Sequence, residues 1–231
     1  MKPTLTRRLA AEGLGTAMLL ATIIGSGIMG ERLAGGNVAV VLLANTLATG
    51  AILVAIILAF GNISGAHFNP AVTVSDAIRG GIKWRDVPLY IGAQIIGAFA
   101  GVAAANVMFD LPLFFASQKV RTGSAQFFSE FIATFGLMSV IWGVVRLNSK
   151  IAVSFAAASY ITAAYWFTSS TSFANPAVTL ARSLSDTFAG IRPIDAPLFI
   201  LAQFLGAFAS TILFRWLIPM PPGDATVEHD E

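Results

Sequence analysis

The sequence predicts an all-α integral membrane protein: a bundle of six spanning helices and two half-length helices, built as an inverted repeat. Three observations carry this fold class. Of 231 residues, 56% are hydrophobic and only 11% are charged, against about 25% charged in a soluble domain. Six apolar runs approach the roughly 20 residues that a helix needs to cross a bilayer. The pentapeptide Asn-Pro-Ala-Val-Thr occurs twice, at 69–73 and 175–179.

The first run, 9–29, follows Arg7 and Arg8 as a signal peptide would, but it is long and contains Glu12, so it reads as an uncleaved first helix. The others fall at 38–60, 88–109, 125–145, 151–167 and 197–218, rich in Gly, Ala and Ser among large aliphatics. Small residues let helices approach closely where lipid supplies no hydrophobic drive, and Gly97 with Gly101 forms a small-xxx-small pair. Residues 1–218 read as one membrane domain in contact with lipid. The Pro-rich, then acidic stretch 219–231 lacks apolar periodicity and is expected to be a disordered tail.

Composition removes several function classes. A net charge of +2 with no basic run is no nucleic-acid footprint. Zero cysteines and two histidines leave no thiolate metal site, no disulfide frame and no implied cofactor. Nothing points to an enzyme. Gly25-Ser-Gly-Ile-Met-Gly30 matches a dinucleotide fingerprint, but it closes a span instead of following a strand. Six spans put both termini on one side, and nine basic residues on that side against five on the other place them in the cytoplasm.

The repeat extends beyond the pentapeptides, which lie 106 residues apart. Tyr90-Ile-Gly-Ala-Gln94 recurs as Phe199-Ile-Leu-Ala-Gln203, and Glu12 in the first span has a counterpart in Glu130 of the fourth. The repeats cover about 9–109 and 125–218. Each holds three spans, an odd number, so the second enters the membrane from the opposite face. Asn is a favoured N-cap and Pro a favoured first helical residue, so Asn69-Pro70-Ala71 and Asn175-Pro176-Ala177 each start a helix. About ten residues at 1.5 Å make roughly 15 Å, half the hydrocarbon thickness. Two such helices would meet end to end at the midplane. Irregular backbone at that depth must line a wet cavity, so the carbonyls of Gly65, Ala66, His67, Thr171, Ser172 and Phe173 should face a pore.

With His67-Phe68-Asn69-Pro70-Ala71, the second Asn-Pro-Ala box and the paired intramembrane glutamates, the chain resembles the aquaporin (major intrinsic protein) family across its whole membrane domain. The resemblance implies the right-handed aquaporin bundle, a homotetramer with one pore per subunit, residence in the inner (plasma) membrane, and a passive channel for water and small neutral solutes. The asparagine carboxamides would cap their helices through oxygen and present N–H donors to the pore. A water molecule held by both cannot relay protons. Glu12 and Glu130 would hold the two loops; Gln94 and Gln203 either do the same or serve as polar glue between helices. The alternative is a proton relay in a coupled transporter, which the absence of cationic partners in the spans disfavours.

Most aquaporins place an arginine directly after the second box, where this chain has Val178. Counting back from the boxes puts the other filter positions at Thr49, Ala163 and Ser172, a ring with no aromatic and no arginine. Loss of that arginine resembles a bacterial branch linked to arsenic resistance, which adds neutral metalloid hydroxides such as arsenous acid to polyols as permeants. Arg182, four residues on and one turn outward, is either a contributor to the outer vestibule or an arginine snorkelling at the interface.

Overall fold

The computed structural model describes residues 3–218; the tail expected at 219–231 lies outside the described residues. Six long helices account for the apolar runs: α1 (Leu5–Leu33), α2 (Val38–Phe60), α4 (Val87–Met108), α5 (Ser124–Val145), α6 (Lys150–Phe167) and α8 (Ala196–Leu217). Two short helices interrupt them, α3 (Pro70–Ile78) and α7 (Pro176–Arg182). Among the described residues there is no strand. Five of the long helices are long and apolar enough to cross a membrane. The sixth, α6, has 18 residues and carries Lys150, Ser154, Ser159, Thr162 and two tyrosines, which lower its hydropathy. Its length, about 27 Å at 1.5 Å per residue, still approaches the hydrocarbon thickness.

Packing follows the repeat. Helix α1 lies along α4 as α5 lies along α8, and α2 meets α6 between the halves. The α1–α4 contact is a close backbone approach, since a Cβ on Gly97 would strike the carbonyl of Gly13. Its counterpart recurs in the second half, where a Cβ on Gly206 would strike the carbonyl of Phe131. Each half-helix packs on both halves: α3 touches α4 and α8, and α7 touches α8 and α4.

Both half-helices start where the caps predict. Asn69 accepts from the Ala71 N–H with Pro70 at the first helical position, and Asn175 accepts from Ala177 and Val178 with Pro176 likewise. The helices run 9 and 7 residues, roughly 13 and 10 Å. With α1 running away from the N-terminal face, α3 ends at that face and α7 at the opposite, distal one.

Candidate functional site

Between the halves lies a cavity of about 300 Å³. The spans give it aliphatic walls at helical spacing: Leu53 and Ile57 on α2, Leu137 and Ile141 on α5, Val153, Ala157 and Ile161 on α6. The two loops and half-helices give it a polar seam. Loop 61–69 and loop 168–175 enter from opposite faces and adopt the same backbone path. Gly65, Ala66 and Phe68 have positive φ in the first (94°, 54° and 49°), and Thr171, Ser172 and Ala174 in the second (61°, 50° and 48°). Non-glycine residues in this region cost on the order of 1–3 kcal/mol each and persist only where the surroundings enforce them.

The enforcement comes from two buried carboxylates. Glu12 Oε1 accepts from Ser64 Oγ (2.6 Å) and the His67 N–H (3.0 Å), and its Oε2 from the Phe68 N–H (2.7 Å) and Gln94 Nε2 (2.8 Å). Glu130 accepts from the N–H groups of Phe173 and Ala174 (both 2.9 Å) and from Gln203 Nε2 (2.6 Å). Each glutamine also donates to a half-helix threonine, Thr73 (2.9 Å) or Thr179 (2.8 Å), which donates to the carbonyl of Asn69 or Asn175. Glu12, Glu130, Gln94 and Gln203 do not line the cavity; they stand behind the loops.

At the centre the loops are tied across the repeat. Asn69 Nδ2 donates to the Ala174 carbonyl and Asn175 Nδ2 to the Phe68 carbonyl, each at 2.8 Å. A carboxamide has two N–H groups, so one from each asparagine ties the loops together. The second has no protein acceptor among the described residues, and both asparagines line the cavity. One N–H per asparagine is therefore left for the cavity. Pro70, Ala71, Pro176 and Ala177 do not reach the cavity: they are buried, with Ala71 packed near Met138 and Trp142, because the first helical turn aims them into the helix contacts.

The carbonyls of Gly65, Ala66, His67, Thr171, Ser172 and Phe173 receive no hydrogen bond from any described residue. Five of these residues line the cavity; Thr171 is set back, its Oγ1 3.4 Å from Arg121 Nη1. A column of unpaired acceptors beside aliphatic walls suits a solute that donates hydrogens and needs only part of its hydration replaced.

Of the four filter positions counted from the boxes, Thr49, Ser172 and Val178 line the cavity and Ala163 does not. Ala163 is exposed on the outside of α6, and Tyr165, buried and in the wall, takes that place. The count was two residues short, and two residues turn a helix by about 200°. The period Val153, Ala157, Ile161 would have led to Tyr165. Two sequence neighbours of the site also went unread, His67 as a side chain and Asp76. The ring of His67 contacts Thr73 Oγ1 at 3.1 Å and Asp76 Oδ2 at 3.5 Å, at the N-terminal-face end of the cavity.

Arg182 is not a snorkelling residue: it is 1% exposed and lines the cavity. Its Nε donates to the Ala189 carbonyl and its guanidinium lies 3.4 Å from the Phe173 ring centroid. Arg121, from the 109–123 connection, lies over the same ring at 4.8 Å and donates to the carbonyls of Gly190 and Ser170, both at 2.8 Å. Nearby, burial pushes the Lys119 ammonium down to about 8, with Arg121 and Arg182 adding to the shift. Arg182, Arg121 and Lys119 gather at the distal end, with Glu31 and Asp186 near Lys119, and the expectation of a ring with neither arginine nor aromatic is corrected by Arg182 and Tyr165.

The comparisons with known proteins agree with this geometry. The family model described as Major intrinsic protein matches residues 1–150 and 145–229. The chain is 53% identical to aquaglyceroporin AqpS of Rhizobium meliloti (strain 1021), over 93% of this chain and 91% of that protein. It is 38% identical to the probable aquaporin NIP7-1 of Arabidopsis thaliana, over 55% of this chain and 46% of that one. In fold it resembles the X-ray structure of the aquaglyceroporin from Plasmodium falciparum, with a TM-score of 0.76 at 22% identity, covering 94% of this chain and 98% of that one. With these matches spanning a cavity built from two inverted Asn-Pro-Ala loops, the chain belongs to the major intrinsic protein family.

Proposed function

We propose that the chain is a passive channel for water and small neutral solutes, which pass in file along the carbonyl column and between Asn69 and Asn175. The feature that carries this reading is the set of loop carbonyls without a protein donor, five of them on residues that line one cavity with aliphatic walls. A solute exchanges hydrogen bonds from one carbonyl to the next while the opposite wall offers no partner to hold it. At the centre it accepts the remaining N–H of each asparagine, so the oxygen of a water molecule is engaged there and its hydrogens point outward, which interrupts a proton wire. The two half-helices start at this point, and their partial positive charge opposes cations.

The finer reading adds polyols and neutral metalloid hydroxides such as arsenous acid to the permeants. It is supported by Val178 in place of the usual arginine and by the aquaglyceroporin name of the Rhizobium relative. Further parts of the proposal are a homotetramer, residence in the inner membrane, both termini in the cytoplasm and a single membrane domain over 1–218. Glu12 and Glu130 act as loop scaffolds. The test is uptake of water, glycerol and arsenous acid by proteoliposomes without any ion gradient. Flux of at least one solute above protein-free vesicles is expected. Uptake that requires a proton or sodium gradient overturns the channel in favour of a coupled transporter, and no flux under either condition overturns both.

A further inference from the structure

The Arg182 guanidinium is buried beside the Tyr165 hydroxyl at the edge of the cavity, and the protein uses only part of its five donors. Its Nε is spent on Ala189, but Nη1 is buried without a partner, and the residue borders the cavity. Ser172 Oγ, in the same wall, is also buried without a partner. A buried donor left unpaired costs free energy, and the guanidinium that carries it borders the cavity, where an occupant can take the hydrogen-bonding capacity the protein leaves over. The two hydroxyls opposite can be assigned by counting hydrogens. Thr49 gives its one hydroxyl hydrogen to the Asn45 carbonyl at 2.8 Å, so the 3.2 Å contact with Tyr165 is donated by Tyr165. The Tyr165 oxygen is left with lone pairs only. This part of the wall then presents a charged donor from Arg182, an acceptor from Tyr165, a hydroxyl able to do both from Ser172, and the apolar face of Val178.

The position of Arg182 explains how it serves the place that Val178 leaves without a cation. Four residues along α7 put it on the same face as Val178. Side chains on a helix lean toward its N-terminus, and the N-terminus of α7 is at the centre of the molecule, so an arginine one turn outward reaches back over the valine. Phe173 and Ala189 fix its planar fork. Among the described residues neither Arg182 nor Arg121 makes an ion pair with a carboxylate through its guanidinium, although the Glu130 carboxylate behind the loop lies near enough to offset part of their charge.

We infer that Arg182 is the specificity-determining donor of this channel, taking the part of the filter guanidinium from a different position and favouring small neutral solutes whose hydroxyls both give and take hydrogen bonds. Such a solute accepts from the Arg182 guanidinium while donating to the Tyr165 oxygen. One with fewer hydroxyls leaves part of the wall unpaired. The inference rests on the channel reading above and concerns only its selectivity.

The test compares glycerol with propane-1,3-diol, which has one hydroxyl fewer, in proteoliposomes of the full chain, each flux corrected for protein-free vesicles. For Arg182→Leu, checked to elute as the parent does, the glycerol-to-diol ratio is expected to fall about tenfold, equivalent to about 1.4 kcal/mol. Adding Val178→Arg to that variant returns a guanidinium to the cavity and should restore much of the ratio. A parent that conducts neither solute contradicts the channel itself. A conducting parent whose ratio is unchanged in Arg182→Leu overturns the inference and leaves the channel standing. If Arg182→Leu does not fold, Arg182→Lys decides: it keeps the charge but loses the fork, so a fallen ratio supports the inference and an unchanged one overturns it.

Discussion

The two loops that meet at the centre share a backbone and differ in what holds and flanks them. In the first, the Tyr90 hydroxyl donates to the Ser64 carbonyl at 2.9 Å. The repeat puts Phe199 where Tyr90 stands, with no hydroxyl to give, and the matching Ser170 carbonyl is served by Arg121 from an inter-helix connection. His67 beside Asp76 in the first half becomes Phe173 beside Arg182 in the second. Asp76 and Arg182 occupy equivalent positions 106 residues apart, so duplication preserved the path of the chain while this position changed from an acid to a base. The lesson is that the carboxylates and glutamines that hold the loop N–H groups and half-helix threonines recur, whereas the donor to the Ser64 or Ser170 carbonyl and the side chains at the half-helix ends diverge.

That contrast can be broken most severely where both halves rely on the same close approach. Gly97→Ala and Gly206→Ala each drive a methyl into a facing carbonyl, of Gly13 and Phe131. Overpacking of this kind costs about 1–3 kcal/mol or more, and both variants should lower thermal stability in detergent by similar amounts. A large effect in only one half would show that the repeat is not mechanically symmetric.

The carboxylates sharpen the comparison next. Glu12 accepts four hydrogen bonds and Glu130 three. Hydrogen bonds to charged groups contribute about 1.5–3 kcal/mol each. Glu12→Gln should therefore cost somewhat more stability than Glu130→Gln, each by about 2 kcal/mol or more, read from the unfolding midpoint. Uncoupled solute flux through the folded fraction should persist in both. Asn69→Asp and Asn175→Asp have smaller structural effects, since the capping oxygen remains, but each adds a carboxylate at the centre and breaks one cross-loop bond. Potassium leak from loaded vesicles should rise in both variants; no rise in either would remove the asparagines from the pore. The mildest change is Tyr90→Phe, which makes the first half resemble the second. Losing one neutral hydrogen bond should cost about 1 kcal/mol, and the reverse variant Phe199→Tyr should bring no matching gain, because Arg121 already serves the Ser170 carbonyl.

Much of this was legible in the residues. Apolar length located all six long helices, and the capping pair Asn-Pro located both half-helix starts, because these depend on local preferences and on hydrocarbon thickness alone. The recurrence of Glu12 as Glu130 and Gln94 as Gln203 singled out four buried polar groups before any contact was known. Helical phase is lost when residues are counted back through an irregular loop, so the count reaches Ala163, whereas Tyr165 continues the period of Val153, Ala157 and Ile161. Nor does the sequence show where a long side chain ends. Arg182 read equally well as an interfacial cation, and only its burial against Phe173 and Ala189 places its fork at the cavity. Arg121 carried no signal at all, since its partners Ser170 and Gly190 are 49 and 69 residues away. The sequence by itself determined the number, length and inverted order of the helices, because spans, caps and repeats are written in neighbouring residues. Tertiary structure alone decided which side chains form the distal mouth and which asparagine hydrogens remain for the solute, because those depend on contacts between segments that only folding brings together.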